Sequence, residues 1–413
     1  MPGASPAPAR MSTAGLVVVG AGLAGVRAVE GARLGGFTGA VTLLGTETDA
    51  PYDRPPLSKA FLTESAALRY LRTAESLRGE LDVDLRLGET ATAVDPAART
   101  VAVGAEELPY TGLVIATGST ARLLPGMHGP AGVHTLRSHA DAVALRSALR
   151  PGSRVVVIGA GFIGSEFACS AMHLGAHVTV LEAADVPLVR AVGPAMGEAL
   201  GGLHARHGID VRCGAVVEAV VGKDTLEAVR LADGQVLPAD LVLVGVGAAP
   251  VTEWLRGSGL TIEDGVVCDA TLNAGAPGVY AAGDVARWHN PTFDRSMRLE
   301  HWTSAAEQGM VAGRNAVGTG EPVTCDVVPY FWSDWVTDRI QFVGVPDSDE
   351  VTTVAGSAET GDLLALYRTG DRVTGALGVN QRRAVLRLRL MIGQRADWRE
   401  AVELARSTAV RST

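Results

Sequence analysis

A chain of 413 residues, 47% hydrophobic and 20% charged, has room for two to four domains and the balance of a globular protein. Its apolar runs are short and broken by glycine, which excludes a membrane span, and a net charge of −9 gives no support to nucleic-acid binding. Four cysteines (Cys169, Cys213, Cys268, Cys325) stand far apart with no CxxC, against a disulfide framework, a zinc site or an iron–sulfur cluster. Residues 1–13 are rich in proline, alanine and glycine and lack an apolar stretch, so they read as a disordered tail rather than a signal peptide. A cytoplasmic location is expected.

The first element is an apolar, β-branched run at 16–19, the pattern of a strand buried on both faces. It enters Gly20-Ala21-Gly22-Leu23-Ala24-Gly25, then a helix that stops near Gly35-Gly36, then a second apolar strand at 41–44 ending close to Glu47. Strand, glycines, helix, strand and acid in this order form a dinucleotide-binding unit. The first glycine permits the tight turn, the second admits a pyrophosphate to the backbone, and the third brings helix and strand together. Free N–H groups and the helix dipole stabilise the phosphates, and the acid binds ribose hydroxyls.

Proline crowds Pro51-Tyr52-Asp53-Arg54-Pro55-Pro56-Leu57-Ser58-Lys59, which therefore reads as a stiff loop leading into a helix from Leu57 or Ser58. Lys59 is one of only two lysines; the other is Lys223. Its ammonium is compact and tunable where arginine is bulky and permanently charged. A solvated surface lysine is the competing reading. Short alternating strands fill 80–110, and 113–116 is another buried strand, running through Ala116 to Thr117-Gly118.

The opening device then recurs. A strand at 154–158 leads to Gly159-Ala160-Gly161-Phe162-Ile163-Gly164, a helix, a C-cap at Gly175, and a strand at 177–181 ending at Glu182. Two complete fingerprints imply two dinucleotides. Glu182, with no basic residue before Arg190, favours a free ribose over a 2′-phosphate and so NAD over NADP. Residues 241–247 are the last buried strand of this second unit, ending in Gly247. A short strand at 279–282 ends in Gly283-Asp284, whose carboxylate suits sugar or ribityl hydroxyls, and Glu300-His301-Trp302 begins a helix. From about residue 322 the composition changes: Tyr330-Phe331-Trp332-Ser333-Asp334-Trp335 is aromatic, alternating strands turn at Thr369-Gly370-Asp371-Arg372, and an arginine-rich helix spans 381–392.

On the two fingerprints, Pro55-Pro56-Leu57-Ser58-Lys59, Ala116-Thr117-Gly118, Leu136-Arg137, Gly283-Asp284 and Phe331-Trp332-Ser333-Asp334, the sequence resembles the flavin-dependent ferredoxin reductases of bacterial monooxygenase systems (the putidaredoxin, rhodocoxin and rubredoxin reductase type). The resemblance covers residue 14 to the end of the chain. It implies an α/β fold of two Rossmann-like domains, an FAD domain (14–118 and 249–321) with an NAD domain (119–248) inserted, plus a C-terminal α+β domain (322–413). It implies an NADH-dependent oxidoreductase that takes hydride onto FAD and passes single electrons to an iron–sulfur ferredoxin, without nucleic acid or membrane, a monomer being favoured.

Carried over residue by residue, Gly20, Gly22, Leu23, Ala24, Thr46, Glu47, Arg54, Lys59, Ala91, Ala116, Thr117, Gly118, Arg137, Gly283, Asp284 and Trp302 face FAD. Gly159, Gly161, Phe162, Ile163, Gly164, Glu182 and Gly247 hold NAD, and Lys59 and Glu166 form an ion pair beside the flavin. Two departures stand out: Thr46 replaces an acid, and Met310 stands where a relative has a docking arginine. Arg72 matches another docking arginine, and with some of the C-terminal arginines, of which Arg382, Arg383, Arg387 and Arg389 crowd one helix, it is expected to rim the flavin's exposed edge. Two rivals stay open: a flavin disulfide reductase or NADH oxidase, which needs a cysteine beside the flavin, and a redox-sensing flavoprotein acting as a binding partner.

Overall fold

The computed structural model describes residues 14–409 apart from 65, 128, 129 and 319; the tail expected at 1–13 lies outside the described residues. The first sheet is seven-stranded. Its centre is Gly15–Val19, with all five residues buried, paired in parallel with Val41–Gly45 on one side and Glu106–Ile115 on the other. Val83–Leu87 and Val279–Ala281 extend the parallel array at its two ends. Strands buried on both faces have no polar side to spare, which is why they read as unbroken apolar runs. The helices Leu23–Leu34 and Trp302–Ala316 cross face to face. Their backbones approach at Gly31, Gly309 and Gly313, where any side chain would collide with main-chain oxygen of the partner helix.

The second sheet is parallel throughout, in the order Asp210–Arg212, His177–Leu181, Arg154–Ile158, Leu241–Val244, Val133–His134. The strand expected at 241–247 stops at Val244: a last bond from Gly245 N reaches Ile158 O, where the partner strand ends and Gly159 turns to a φ of +101°, and Gly247 itself turns to +105°. Two short antiparallel strands, Ser119–Ala121 and Ala248–Pro250, carry the chain from the first sheet to the second and back.

The C-terminal sheet is antiparallel, in the order Tyr330–Trp335, Asp338–Gly344, Arg372–Val379, Asp362–Thr369, Glu350–Ser357. The expected hairpin joins Asp362–Thr369 to Arg372–Val379, and the arginine-rich helix runs Arg382–Gly393. The proline-rich loop differs in detail. It becomes a 3₁₀ turn, Pro55–Ser58, followed by a short helix, Ala60–Thr63, so helical backbone begins at the prolines themselves. A fixed φ near −65° suits the first turn of a helix, where no N–H partner is needed.

Candidate dinucleotide-binding site

Strand ends and helix starts converge on one cavity of about 770 Å³. Gly20 leaves the first strand at a φ of +114°, and a Cβ there would stand 2.1 Å from Ala116 O. Gly22 caps the next helix without a side chain and looks into open space, so the first N–H groups of that helix are free to meet a ligand. The expected residues Leu23, Ala24, Thr46, Glu47, Arg54, Ala91, Ala116, Thr117, Gly118, Arg137, Gly283, Asp284 and Trp302 all line this cavity. Its volume and glycine floor suit a flavin dinucleotide.

Glu47 is already engaged by the protein. Arg54 Nη2 lies 2.5 Å from its Oε1, and Tyr52 donates to its Oε2 at 2.5 Å. Arg54 also donates to Tyr52 Oη at 2.7 Å and to Arg137 O at 2.8 Å, which binds the proline-rich loop to the far wall. Burial pushes the Tyr52 phenol well above the usual range. Asp284 is buried and accepts from Arg137 Nη2 at 2.6 Å and Ser119 Oγ at 2.8 Å, so an acidic group is held ready at the cavity wall. Trp302 Nε1 donates to Asp53 at 2.7 Å, tying the start of its helix to the same loop. His301, beside it, has Nδ1 buried with no partner among the described residues, and burial lowers its imidazole to about 4, keeping it neutral.

Lys59 and Glu166 meet as the sequence anticipates: Lys59 Nζ lies 2.8 Å from Glu166 Oε2. Glu166 comes from the helix Phe162–His173, two residues beyond Gly164, and it lines the same cavity as Phe162 and Ile163. The helix that leaves the second glycine turn therefore borders the cavity that the first one opens. Gly159, Gly161, Gly164, Glu182 and Gly247 lie apart from the cavity lining, at the carboxyl ends of the second sheet. A Cβ on Gly159 would meet Gly245 O at 2.4 Å, and one on Gly164 would meet Gly159 O at 2.1 Å. Glu182 accepts from Ala160 N at 2.8 Å and Ala184 N at 2.9 Å. A glycine turn with an acid at the next strand end is an arrangement that suits a nicotinamide dinucleotide.

The C-terminal sheet closes the far side with Phe331 and Trp332. Phe331 packs on Phe162 with ring centroids 4.3 Å apart, and Trp332 meets Trp302 edge-on at 6.1 Å. Sequence reasoning passed over Tyr52, Asp53, Ser58, Ser119 and Ser333 as individual participants, although the first three lie in the loop it singled out.

Two expectations change. Arg72 is not a free cation at the cavity rim: it is clasped by Glu30 at 2.9 Å and Glu80 at 3.2 Å, and it does not line the cavity. Arg389 is likewise occupied, by Glu307 at 2.8 Å and by Val328 O. The cysteines read as inert. Cys169, Cys268 and Cys325 are buried, burial pushes each thiol up to about 12, and no cysteine lines the cavity.

Residues 14–309 match the family described as pyridine nucleotide-disulphide oxidoreductase, and residues 330–413 match the reductase C-terminal domain. The biphenyl dioxygenase system ferredoxin–NAD(+) reductase component of Paraburkholderia xenovorans is 35% identical, over 92% of this chain and 94% of that protein. Putidaredoxin reductase of Pseudomonas putida is 35% identical, over 89% of this chain and 88% of its own. The crystal structure of the covalent putidaredoxin reductase–putidaredoxin complex superposes with a TM-score of 0.89 at 32% identity, covering 96% of this chain and 99% of that one. The chain belongs to the pyridine nucleotide-disulphide oxidoreductase family, in its ferredoxin–NAD(+) reductase branch.

Proposed function

We propose that this protein is an FAD-dependent ferredoxin reductase, taking electrons in pairs from NADH and delivering them singly to an iron–sulfur ferredoxin that serves an oxygenase. The observation that carries this reading is the composition of the cavity wall: the first glycine turn, the start of the helix that follows the second (Phe162, Ile163, Glu166) and the aromatic edge of the C-terminal sheet all line it, and none of the four thiols does. When bound, FAD supplies the conversion between two-electron and one-electron chemistry. The protein supplies position and charge. The free N–H groups after Gly20 and Gly22 face the pyrophosphate, Asp284 accepts ribityl hydroxyls, and the Lys59 ammonium offers positive charge where electrons accumulate. Phe162 and Ile163 bring the nicotinamide side of the second site to the first. We divide the chain into 14–118 with 249–321, 119–248, and 322–413, the paired strands Ser119–Ala121 and Ala248–Pro250 marking the double crossing.

The reaction is tested with purified protein, NADH and cytochrome c. Reduction of cytochrome c should be fast only when a ferredoxin is added, and equal rates with and without ferredoxin would overturn the reading. No helix among the described residues is long and apolar enough to cross a membrane, and we place the enzyme in the cytoplasm.

Docking of an acidic ferredoxin needs local positive charge on a chain whose net charge is −9. Residues 361–413 hold ten arginines against five acids, a balance of +5 that leaves −14 for the rest. On the helix Arg382–Gly393, Arg382, Arg383 and Arg387 are exposed and form no ion pair with other described residues. Leu386 and Leu390 are exposed beside them, and Arg383, Leu386, Arg387 and Leu390 share one helical face. Charge steering raises the association rate and fades over a Debye length of about 8 Å at physiological ionic strength. The double variant Arg383→Glu with Arg387→Glu should therefore slow ferredoxin reduction about tenfold or more at low salt, converge on wild type as salt rises, and leave NADH-to-ferricyanide turnover intact. Identical salt dependence in variant and wild type would remove this face from the docking site.

A further inference from the structure

The Lys59–Glu166 pair is met from a third direction. The strand Tyr330–Trp335 brings Ser333, fully buried, to the oxygen of Glu166 that Lys59 does not use. Ser333 Oγ lies 2.8 Å from Glu166 Oε1, and Trp335 Nε1 lies 2.9 Å from Ser333 Oγ. An indole N–H can only donate. The Ser333 oxygen therefore accepts from Trp335, and its single hydrogen is left for Glu166. The other carboxylate oxygen takes Ser58 Oγ at 2.5 Å and Lys59 Nζ at 2.8 Å. Trp335 is itself fixed: it has no exposed surface and packs on the His204 ring at 4.0 Å, while His204 Nε2 bonds Ser165 Oγ at 2.9 Å.

We propose that Ser333, oriented by Trp335, is a positioning residue for the NADH-dependent reaction: it fixes the Glu166 carboxylate, and through it the Lys59 ammonium, at the cavity wall. The C-terminal sheet thus acts on the charge beside the cofactor as well as closing the cavity. This rests on the reading that FAD occupies that cavity.

Few other charges compete for the pair. Cys169, further along the same helix, stays a thiol because burial pushes it up to about 12. His204, behind Ser165, stays neutral because burial lowers it to about 4. Asp334 is turned to Arg339 at 3.6 Å. Among the described residues Lys59 is the cation paired with Glu166, and the Ser58 and Ser333 hydroxyls hold the carboxylate for it, with the Asp334 backbone N–H a longer donor to the Ser333-bound oxygen at 3.4 Å.

A carboxylate stripped of a hydroxyl donor takes up a proton more readily, and once protonated it releases its ammonium partner. Ser333→Ala removes the donor at almost constant volume, and Ser333→Thr keeps it. With FAD-loaded protein, the readouts are the visible absorbance of the bound flavin against pH without NADH, and the pH profile of flavin reduction by NADH. In Ser333→Ala the acid limb of both should move up by about one pH unit, and Ser333→Thr should return it to the wild-type position. A limb that stays in place in Ser333→Ala overturns the proposal, whatever happens to rate or melting temperature. A limb displaced equally in both variants assigns the shift to repacking and overturns it as well. Neither readout uses ferredoxin, so a failure of the ferredoxin reaction would defeat the proposed function and leave this test unaffected.

Discussion

Gly25→Val is expected to purify without flavin, whereas Gly164→Val is expected to keep its flavin and fail to saturate with NADH. Both glycines sit where a helix lies against the turn that precedes it. A Cβ at Gly25 would stand 1.9 Å from Gly20 O and 3.3 Å from Leu43 Cδ1. At Gly164 it would stand 2.1 Å from Gly159 O and 3.2 Å from Val157 Cγ1. Real Cβ atoms do not approach backbone oxygen so closely, so the helix start must move away from its strand. Overpacking of this kind costs about 1–3 kcal/mol. Here it falls on the helix N–H groups proposed to face the pyrophosphate. Flavin content follows from the ratio of flavin to protein absorbance, and KM for NADH should rise at least about tenfold in Gly164→Val. Melting curves check that both proteins fold, and the Ala substitutions give a milder form of the same test. Loss of flavin from Gly164→Val with NADH affinity unchanged would exchange the assignments of the two sites.

The features that sequence made legible are those with local signals. Both glycine turns follow from strand, spacing and helix within about thirty residues. Lys59 drew notice as a rare lysine in a stiff loop, and its pairing with Glu166 came from the family pattern. What stayed hidden depends on contacts that cross the chain. Ser58 meets Glu166 across 108 residues, Ser119 meets Asp284 across 165, and Ser333 meets Glu166 across 167. A single serine carries no periodicity and no spacing rule, so only the folded sheets reveal its partner. Charge counting fails for a related reason. It finds the excess of arginine after residue 360, but it cannot tell Arg72 and Arg389, which are neutralised by Glu30, Glu80 and Glu307, from Arg383 and Arg387, which stay free of ion pairs among the described residues.

Wild-type protein is expected to use NADH with a kcat/KM at least about a hundredfold above that for NADPH, and Glu182→Ala is expected to narrow the gap chiefly by damaging NADH use. Glu182 stands at the end of the strand His177–Leu181, where its two oxygens accept from Ala160 N at 2.8 Å and Ala184 N at 2.9 Å. Those bonds aim the carboxylate across the glycine turn, which is where a ribose would lie. A 2′-hydroxyl can donate to it. A 2′-phosphate brings two negative charges against it, with no donor to gain. The surroundings reinforce this preference: Glu182 and Asp185 together help push the nearby Cys213 thiol up, after burial, and Arg212 is held by Asp210 at 2.9 Å. Hydrogen bonds to a charged group are worth about 1.5–3 kcal/mol, so removing the carboxylate should cost NADH about ten- to a hundredfold in kcat/KM. NADPH should gain less, because losing a repulsive acid does not create a phosphate-binding arginine. Steady-state kinetics with both coenzymes on wild type and variant decide the matter. Equal kcat/KM for NADH and NADPH in the wild type would show that Glu182 does not read the ribose, and the second fingerprint would then need another account of its specificity.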